Sequence, residues 1–276
     1  MKPADYRMAV NFIEGKCSQY YFLDYLRTTN GDVEDAIKFY VLDDRLRSLL
    51  SQYLIRFEIQ LKTDFAETVQ ESTRCASFWK KRKFYIPEAR TTSSKGKISK
   101  YRLMCKKIRA NIAHLSFSSM GPANYVAMYA TSFGTFQDLF KLIDSPHKAA
   151  FIQKYTIQLR ANDYRTLNGY LEAVRRIRNR CAHGNHVVTL KMVNDLNNLR
   201  RTIIRGAPVS VNGYVSVMEA TLVFIIEHLN CGDEFKEKLM SIMTEYRDIL
   251  VKYAGRHSLS AQSIEKVCLT TPPQGL

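Results

Sequence analysis

An all-α fold is what this chain predicts, on three observations. Apolar residues recur at spacings of three and four over long stretches; the 276 residues contain only 12 Gly and 7 Pro; and 46% of them are hydrophobic, enough to build a core. A sandwich or barrel would need more turn-forming residues than this.

The elements follow from the periodicity. Leu42, Leu46, Leu49, Leu50, Tyr53, Leu54, Phe57, Leu61, Phe65 and Val69 keep helical spacing without an intervening Gly or Pro, so a single long amphipathic helix is expected. Pro87 and the stretch Arg90 to Lys97 interrupt the pattern and predict a mobile basic loop over 87–100. That loop would divide an N-terminal helical part, 1–86, from a helical core over 101–255, with 256–276 as a flexible tail. Helices are predicted at Lys100 to His114, at Asn124 to Leu142 with a weak point at Gly134, at Pro146 to Tyr155 and at Asp163 to Ala182. A loop over Gly206 to Gly213 then leads to two closing helices, Tyr214 to Leu229 and Asp233 to Tyr253.

The charge is uneven. Lys and Arg number 41 against 26 Asp and Glu, for a net +15. Glu71 to Arg109 holds 13 basic and 2 acidic residues, and Arg160 to Arg205 holds 10 and 3. Two basic blocks on a nearly neutral frame predict a polyanion surface whose affinity falls with salt, although a basic face can also serve solubility alone. Lys80, Lys81, Arg82, Lys83, Lys95, Lys97, Arg175, Arg176 and Arg180 are the candidate RNA contacts. Phe78, Trp79, Phe84, Tyr85 and Tyr101 interleave with the first block and could stack bases or simply anchor the backbone. The six dispersed cysteines and a polar N-terminus fit reduced thiols in a cytoplasm, and no apolar run reaches the length of a bilayer span.

Common enzyme signatures are missing: G-x-S-x-G, the phosphate-binding G-x-x-x-x-G-K-[ST], H-E-x-x-H and C-x-x-C do not occur. Cys181, His183 and His186 lie in a cationic segment poor in carboxylates, so no metal and no other cofactor are expected. The informative segment closes the helix whose apolar stripe runs Leu167, Tyr170, Leu171, Val174, Ile177 and Cys181. Arg178 intrudes on that stripe, where a guanidinium needs an anion or an acceptor. Asn179 and His183, four residues apart, share a face, so the amide can orient the imidazole; Gly184-Asn185 reads as a helix stop. Arg178 and His183 point about 140° apart on a straight helix, so a site using both needs an uncoiled helix end or a second copy of the chain across a symmetric dimer. An imidazole titrating near neutrality and a guanidinium suffice for attack of an RNA 2′-hydroxyl on the adjacent phosphorus. The bare Arg-x4-His spacing also occurs at Arg109 to His114, without an Asn after the Arg, a weaker second candidate.

Arg178-Asn179-Arg180-Cys181-Ala182-His183 resembles the signature of HEPN-domain ribonucleases. Tyr40 to Leu50, followed by Glu58 and by Ser132-Phe133-Gly134-Thr135-Phe136, is similar in order to the abortive-infection (Abi-like, AbiD/AbiF type) family over roughly Asp5 to His186. The resemblance implies a HEPN-like helical bundle with additional N-terminal and C-terminal helices, a homodimer, and a metal-independent endoribonuclease that stops phage by damaging RNA. It further implies restraint by a partner such as a noncoding RNA, as in toxin–antitoxin systems. Arg178 and His183 would be catalytic and Asn179 supporting. After the His the chain departs from the family's frequent bulky or basic run, with Gly184-Asn185-His186. A noncatalytic RNA-binding or scaffold protein of a defence system is the alternative.

Overall fold

The computed structural model describes residues 3–16, 19–91, 98–113, 123–157, 163–188, 203 and 217–253. Among them it is all-α, as expected: α1 (Pro3–Lys16), α2 (Gln19–Thr28), α3 (Val33–Thr73), α4 (Pro87–Arg90), α5 (Lys100–Ala113), α6 (Ala123–Ala130), α7 (Phe133–Leu142), α8 (Ser145–Thr156), α9 (Tyr164–Ala182), α10 (Val217–His228), α11 (Gly232–Glu245) and α12 (Arg247–Lys252). Two 3-10 turns, Phe78–Lys80 and Arg82–Phe84, come after α3. No described helix is long and apolar enough to cross a membrane. Cys75, Cys105, Cys181 and Cys231 are free thiols.

The chain forms two compact units. The first comprises Met1–Leu54, Leu159–Ala161 and Arg176–Leu276; the second comprises Ile55–Gln158 and Asn162–Arg175. The boundaries fall inside α3 and α9, so each of these helices contributes residues to both units.

In the first unit, α2 ends on a turn in which Asn30 and Gly31 take positive φ of 57° and 85° and the Gly31 N–H returns to the Leu26 carbonyl at 2.7 Å. Asp32 then starts α3, its Oδ1 accepting the Asp35 N–H at 3.0 Å, with Glu34 and Asp35 in the first turn. The helix begins nine residues before Leu42 because this cap lies there and because Val33, Ala36 and Phe39 already bury themselves. Asp35 also accepts the Tyr253 hydroxyl at 2.7 Å and the Lys252 ammonium at 2.5 Å, tying the end of α12 to the start of α3. Tyr53 stacks on Phe235 of α11 at 4.7 Å. Arg45 pairs with Glu245 and lies over the Tyr246 ring. The predicted closing helix is divided there into α11 and α12, since Tyr246 leaves helical dihedrals at φ −106°, ψ 19°.

In the second unit, Phe65 of α3 meets Phe78, Phe136, Phe140 and Phe151 with ring centroids 5.2 to 6.0 Å apart. These edge-on contacts make the aromatic core. The expected helix from Asn124 to Leu142 is two helices, and the break lies at Thr131-Ser132 rather than at Gly134. Ser132 caps α7 by accepting the Thr135 N–H at 3.2 Å, and the Lys62 ammonium, paired with Glu58, donates to the Thr131 carbonyl, giving the freed backbone group a partner. Gly134 sits inside the first turn of α7 with no close neighbour demanding its small size. The loop expected over 87–100 begins with a helical turn, because Pro87 takes the first helical position where its missing N–H is harmless. The loop expected at Gly206 to Gly213, the tail after Tyr253, Lys95, Lys97 and His114 lie outside the described residues.

Candidate active site

Arg178, Asn179 and His183 occupy the last turn of α9 and the residue after it, all within the first unit. The stripe that turns α9 inward is buried at Leu167, Tyr170, Leu171, Val174 and Ile177. Next to Ile177, Arg178 is half-buried, as its intrusion on the stripe predicts. The helix stops where expected. Gly184 has φ +65°, its N–H returns to the Cys181 carbonyl at 3.2 Å, and the Asn185 N–H reaches the Arg180 carbonyl at 2.9 Å, the bond pair of a Schellman cap. His183 is the residue before that reversal, and its imidazole is exposed, with no hydrogen-bond partner among the described residues.

The bond that joins Asn179 to His183 is a backbone one, from the His183 N–H to the Asn179 carbonyl at 3.0 Å. Among the described residues the Asn179 amide makes no hydrogen bond to the imidazole. Four-residue spacing brings the two onto one face, but the helix ends at His183 and its ring swings toward solvent.

The segment just beyond the motif is anchored more firmly than the motif itself. Asp43, fully buried in α3, accepts the Val187 N–H at 2.9 Å and the Val188 N–H at 2.8 Å on Oδ1, and the Tyr25 hydroxyl at 2.9 Å and the Arg47 guanidinium at 2.8 Å on Oδ2. Burial raises its pKa, opposed by Arg47, the two backbone N–H groups and Tyr25. The geometry favours the ionised form. Arg47 keeps its proton at any ordinary pH and the two backbone N–H groups can only donate, so a carboxyl proton could be accepted by the Tyr25 hydroxyl alone, at the loss of its own bond to Asp43. Arg47 also pairs with Asp44 at 2.7 Å. In the sequence Asp43 stands out only as part of a family pattern; the missed signal is its place on the buried stripe Phe39, Leu46, Leu50, the same anomaly that marks Arg178.

His186 is buried too. Its ring packs against Tyr25 at 4.6 Å and Tyr21 at 5.1 Å, and its Nε2 lies 3.2 Å from Asp24 Oδ2, an ion-pair approach without good hydrogen-bond alignment. Tyr21 donates to Asn185 Oδ1 at 2.9 Å, and Arg180 reaches forward to the His186 carbonyl at 2.8 Å. Thus Arg180, a candidate RNA contact in the sequence, uses one guanidinium nitrogen to hold the chain beyond the motif. Burial, with Asp43 adding to it, pushes the Cys181 thiol up to about 12, which keeps it protonated and a poor nucleophile.

The other basic candidates divide by surroundings. Lys80, Lys81, Arg82 and Lys83 are exposed, while Phe78, Trp79, Phe84 and Tyr85 between and beside them are buried. Of the two roles open to those four aromatics, anchoring the turns is the one they fill; none presents a free face for base stacking. Arg175 is half-buried and bidentate to Glu172 at 3.1 and 2.6 Å, and Arg176 is half-buried. Among the described residues no group of three or more His, Cys, Asp or Glu side chains is arranged to hold a metal ion.

A family model described as Abi-like protein matches residues 16–189, a span that runs from the end of α1 through Asp43 and the motif to the residues Asp43 holds. No curated protein and no solved structure matches the chain.

Proposed function

Since the chain belongs to the Abi-like protein family, whose description points to abortive infection, we propose that it is an anti-phage effector that cleaves RNA without a metal. In this reading Arg178 and His183 are the catalytic pair of a HEPN-type endoribonuclease of the AbiD/AbiF branch, with Asn179 in support. The observation that carries it is an exposed imidazole at a capped helix end, five residues after a half-buried guanidinium, beside a segment locked by a buried carboxylate. Such an end exposes His183 to a polyanion from a fixed backbone.

The chemistry follows from these groups. A neutral imidazole takes the 2′-hydroxyl proton, the 2′-oxygen attacks phosphorus, and the P–O5′ bond breaks as the 5′-oxygen receives a proton. The products are a 2′,3′-cyclic phosphate and a 5′-hydroxyl. The guanidinium stabilises the charge on the pentacoordinate phosphate. Base and acid must act on opposite sides of the phosphorus, and Arg178 and His183 diverge along α9. A homodimer in which two motifs face one phosphate supplies both; a regulatory partner such as a noncoding RNA would restrain it by occupying that cleft.

The test is cleavage of RNA by the purified chain. Arg178→Ala and His183→Ala are each expected to lower the rate at least about 100-fold with unchanged far-UV circular dichroism, and a 2′-deoxy substitution at the cut site is expected to block the parent. If both variants cut RNA at the parental rate, the assignment is wrong. A second reading rests on Arg180, Asn185 and His186, whose bonds hold the chain: the motif would then be a structural stop in a noncatalytic RNA-binding protein. Parent protein that binds RNA yet leaves it intact would favour that reading.

A further inference from the structure

Within the second unit, Arg102, Lys106 and Arg109 succeed one another at intervals of four and three along α5, and all three are exposed. With Tyr101, Cys105 and Ala110 they line an open cavity of about 780 Å³. The wall is rigid. The Tyr101 hydroxyl donates to the Lys80 carbonyl at 2.6 Å, the Tyr101 ring meets Tyr85 edge-on at 4.9 Å, and Cys105 Sγ donates to the Trp79 carbonyl at 3.2 Å. These bonds join α5 to the 3-10 turns that carry the exposed Lys80, Lys81, Arg82 and Lys83.

Like charges at four-residue spacing on a helix repel, and proteins ordinarily relieve them with acids nearby. Lys107 does so, meeting Asp138 at 3.8 Å. Among the described residues none of Arg102, Lys106 and Arg109 has a carboxylate partner, although Asp138 lies within reach of their own helix. Three exposed cations on one helix face, beside the exposed Lys80 to Lys83, attract an anion supplied from outside. The row rises about 10 Å along the helix axis, which suits a run of neighbouring phosphates rather than one small anion. The row is linear, like a phosphodiester backbone, whereas the charges of an anionic membrane are spread over a plane.

We propose that this α5 groove binds the phosphodiester backbone of RNA without reading its sequence, as a site separate from the Arg178–His183 motif. The inference rests on the reading that the protein acts on RNA. It gives Arg109 a binding role in place of the catalytic one that its spacing to His114 suggested.

Fluorescence anisotropy of the full chain with a labelled 2′-O-methyl oligoribonucleotide, which cannot be cut, tests it over a salt series. The Arg102→Ala/Lys106→Ala/Arg109→Ala variant is expected to bind at least tenfold more weakly, and its log K against log salt slope to be shallower by about 2. Arg102→Lys/Arg109→Lys, which keeps the charge, is expected to retain most of the affinity, and oligonucleotides of unrelated sequence to bind alike. Parental affinity and slope in the Ala variant would overturn the proposal. So would equal loss in the Lys variant, which would mean packing rather than charge, or binding of the parent to phosphatidylserine vesicles but not to the oligonucleotide. Because the probe is uncleavable, a negative result leaves the cleavage reading standing, and failure of the His183→Ala test leaves the groove standing.

Discussion

Replacing Asp43 by Ala would remove an acceptor that four donors share. The Val187 and Val188 N–H groups, the Tyr25 hydroxyl and the Arg47 guanidinium all lie within 2.9 Å of its two oxygens, and the side chain is fully buried. A buried donor left without an acceptor costs about 1–3 kcal/mol. Arg47 is partly relieved because it keeps Asp44 at 2.7 Å, which leaves the two backbone groups and the hydroxyl to set the loss at roughly 3 kcal/mol or more. That is a large share of the stability of an ordinary domain. Asp43→Asn keeps one oxygen for the two N–H groups but turns an amide toward Arg47 and Tyr25, so its loss should be smaller, about 1–3 kcal/mol. Urea unfolding followed by far-UV circular dichroism gives both values. If His183 depends on this anchor, Asp43→Asn should also lower kcat for RNA cleavage more than it raises KM. Loss below about 0.5 kcal/mol in both variants would refute the reasoning, since it would mean that the Val187-Val188 segment is held by something else.

Three further outcomes are expected. Gly184→Ala forces a side chain into φ +65° and should cost about 1 kcal/mol, seen as a melting temperature lower by roughly 2–4 °C; an unchanged value would mean that the cap can relocate. Burial pushes the Glu227 carboxyl up to about 7, so the stability it contributes is complete at pH below the ordinary carboxylate range and is lost as pH rises through about 7. The parent should therefore lose stability across that window, on the order of 2 kcal/mol, and Glu227→Gln should flatten the profile and be the more stable protein at about pH 8; parallel profiles would count against it. With its thiol pushed up to about 12, Cys181 should resist iodoacetamide at about pH 8, and Cys181→Ser should cleave RNA within about twofold of the parent; rapid alkylation would contradict its burial.

The helices are legible in the sequence where one face is continuously apolar. The stripe of α9 from Leu167 to Ile177 predicts both the helix and its buried side, and Gly184-Asn185 predicts the stop that the Schellman bonds provide. The break in Asn124 to Leu142 is not legible, because the residue with the lowest helix propensity, Gly134, is not the one with the competing partner. Ser132 caps, and Lys62 takes the Thr131 carbonyl from 69 residues away. The aromatics of the first basic block illustrate the same limit: interleaving with lysines leaves burial undecided, since a 3-10 turn can send the rings inward and the ammonium groups outward.

Local chemistry along the chain thus determined the all-α class, the end of α9 and the residue types gathered there. These depend on periodicity, on glycine's access to positive φ and on side-chain type, all carried by a few consecutive residues. Tertiary structure decided which charges are functional anchors. Asp43 and Val188 are 145 positions apart, and only folding brings a carboxylate to those two N–H groups. The same holds for the unrelieved cations of α5 against the paired Lys107. Whether a charge is neutralised depends on distance and burial, and these come into being when the chain packs.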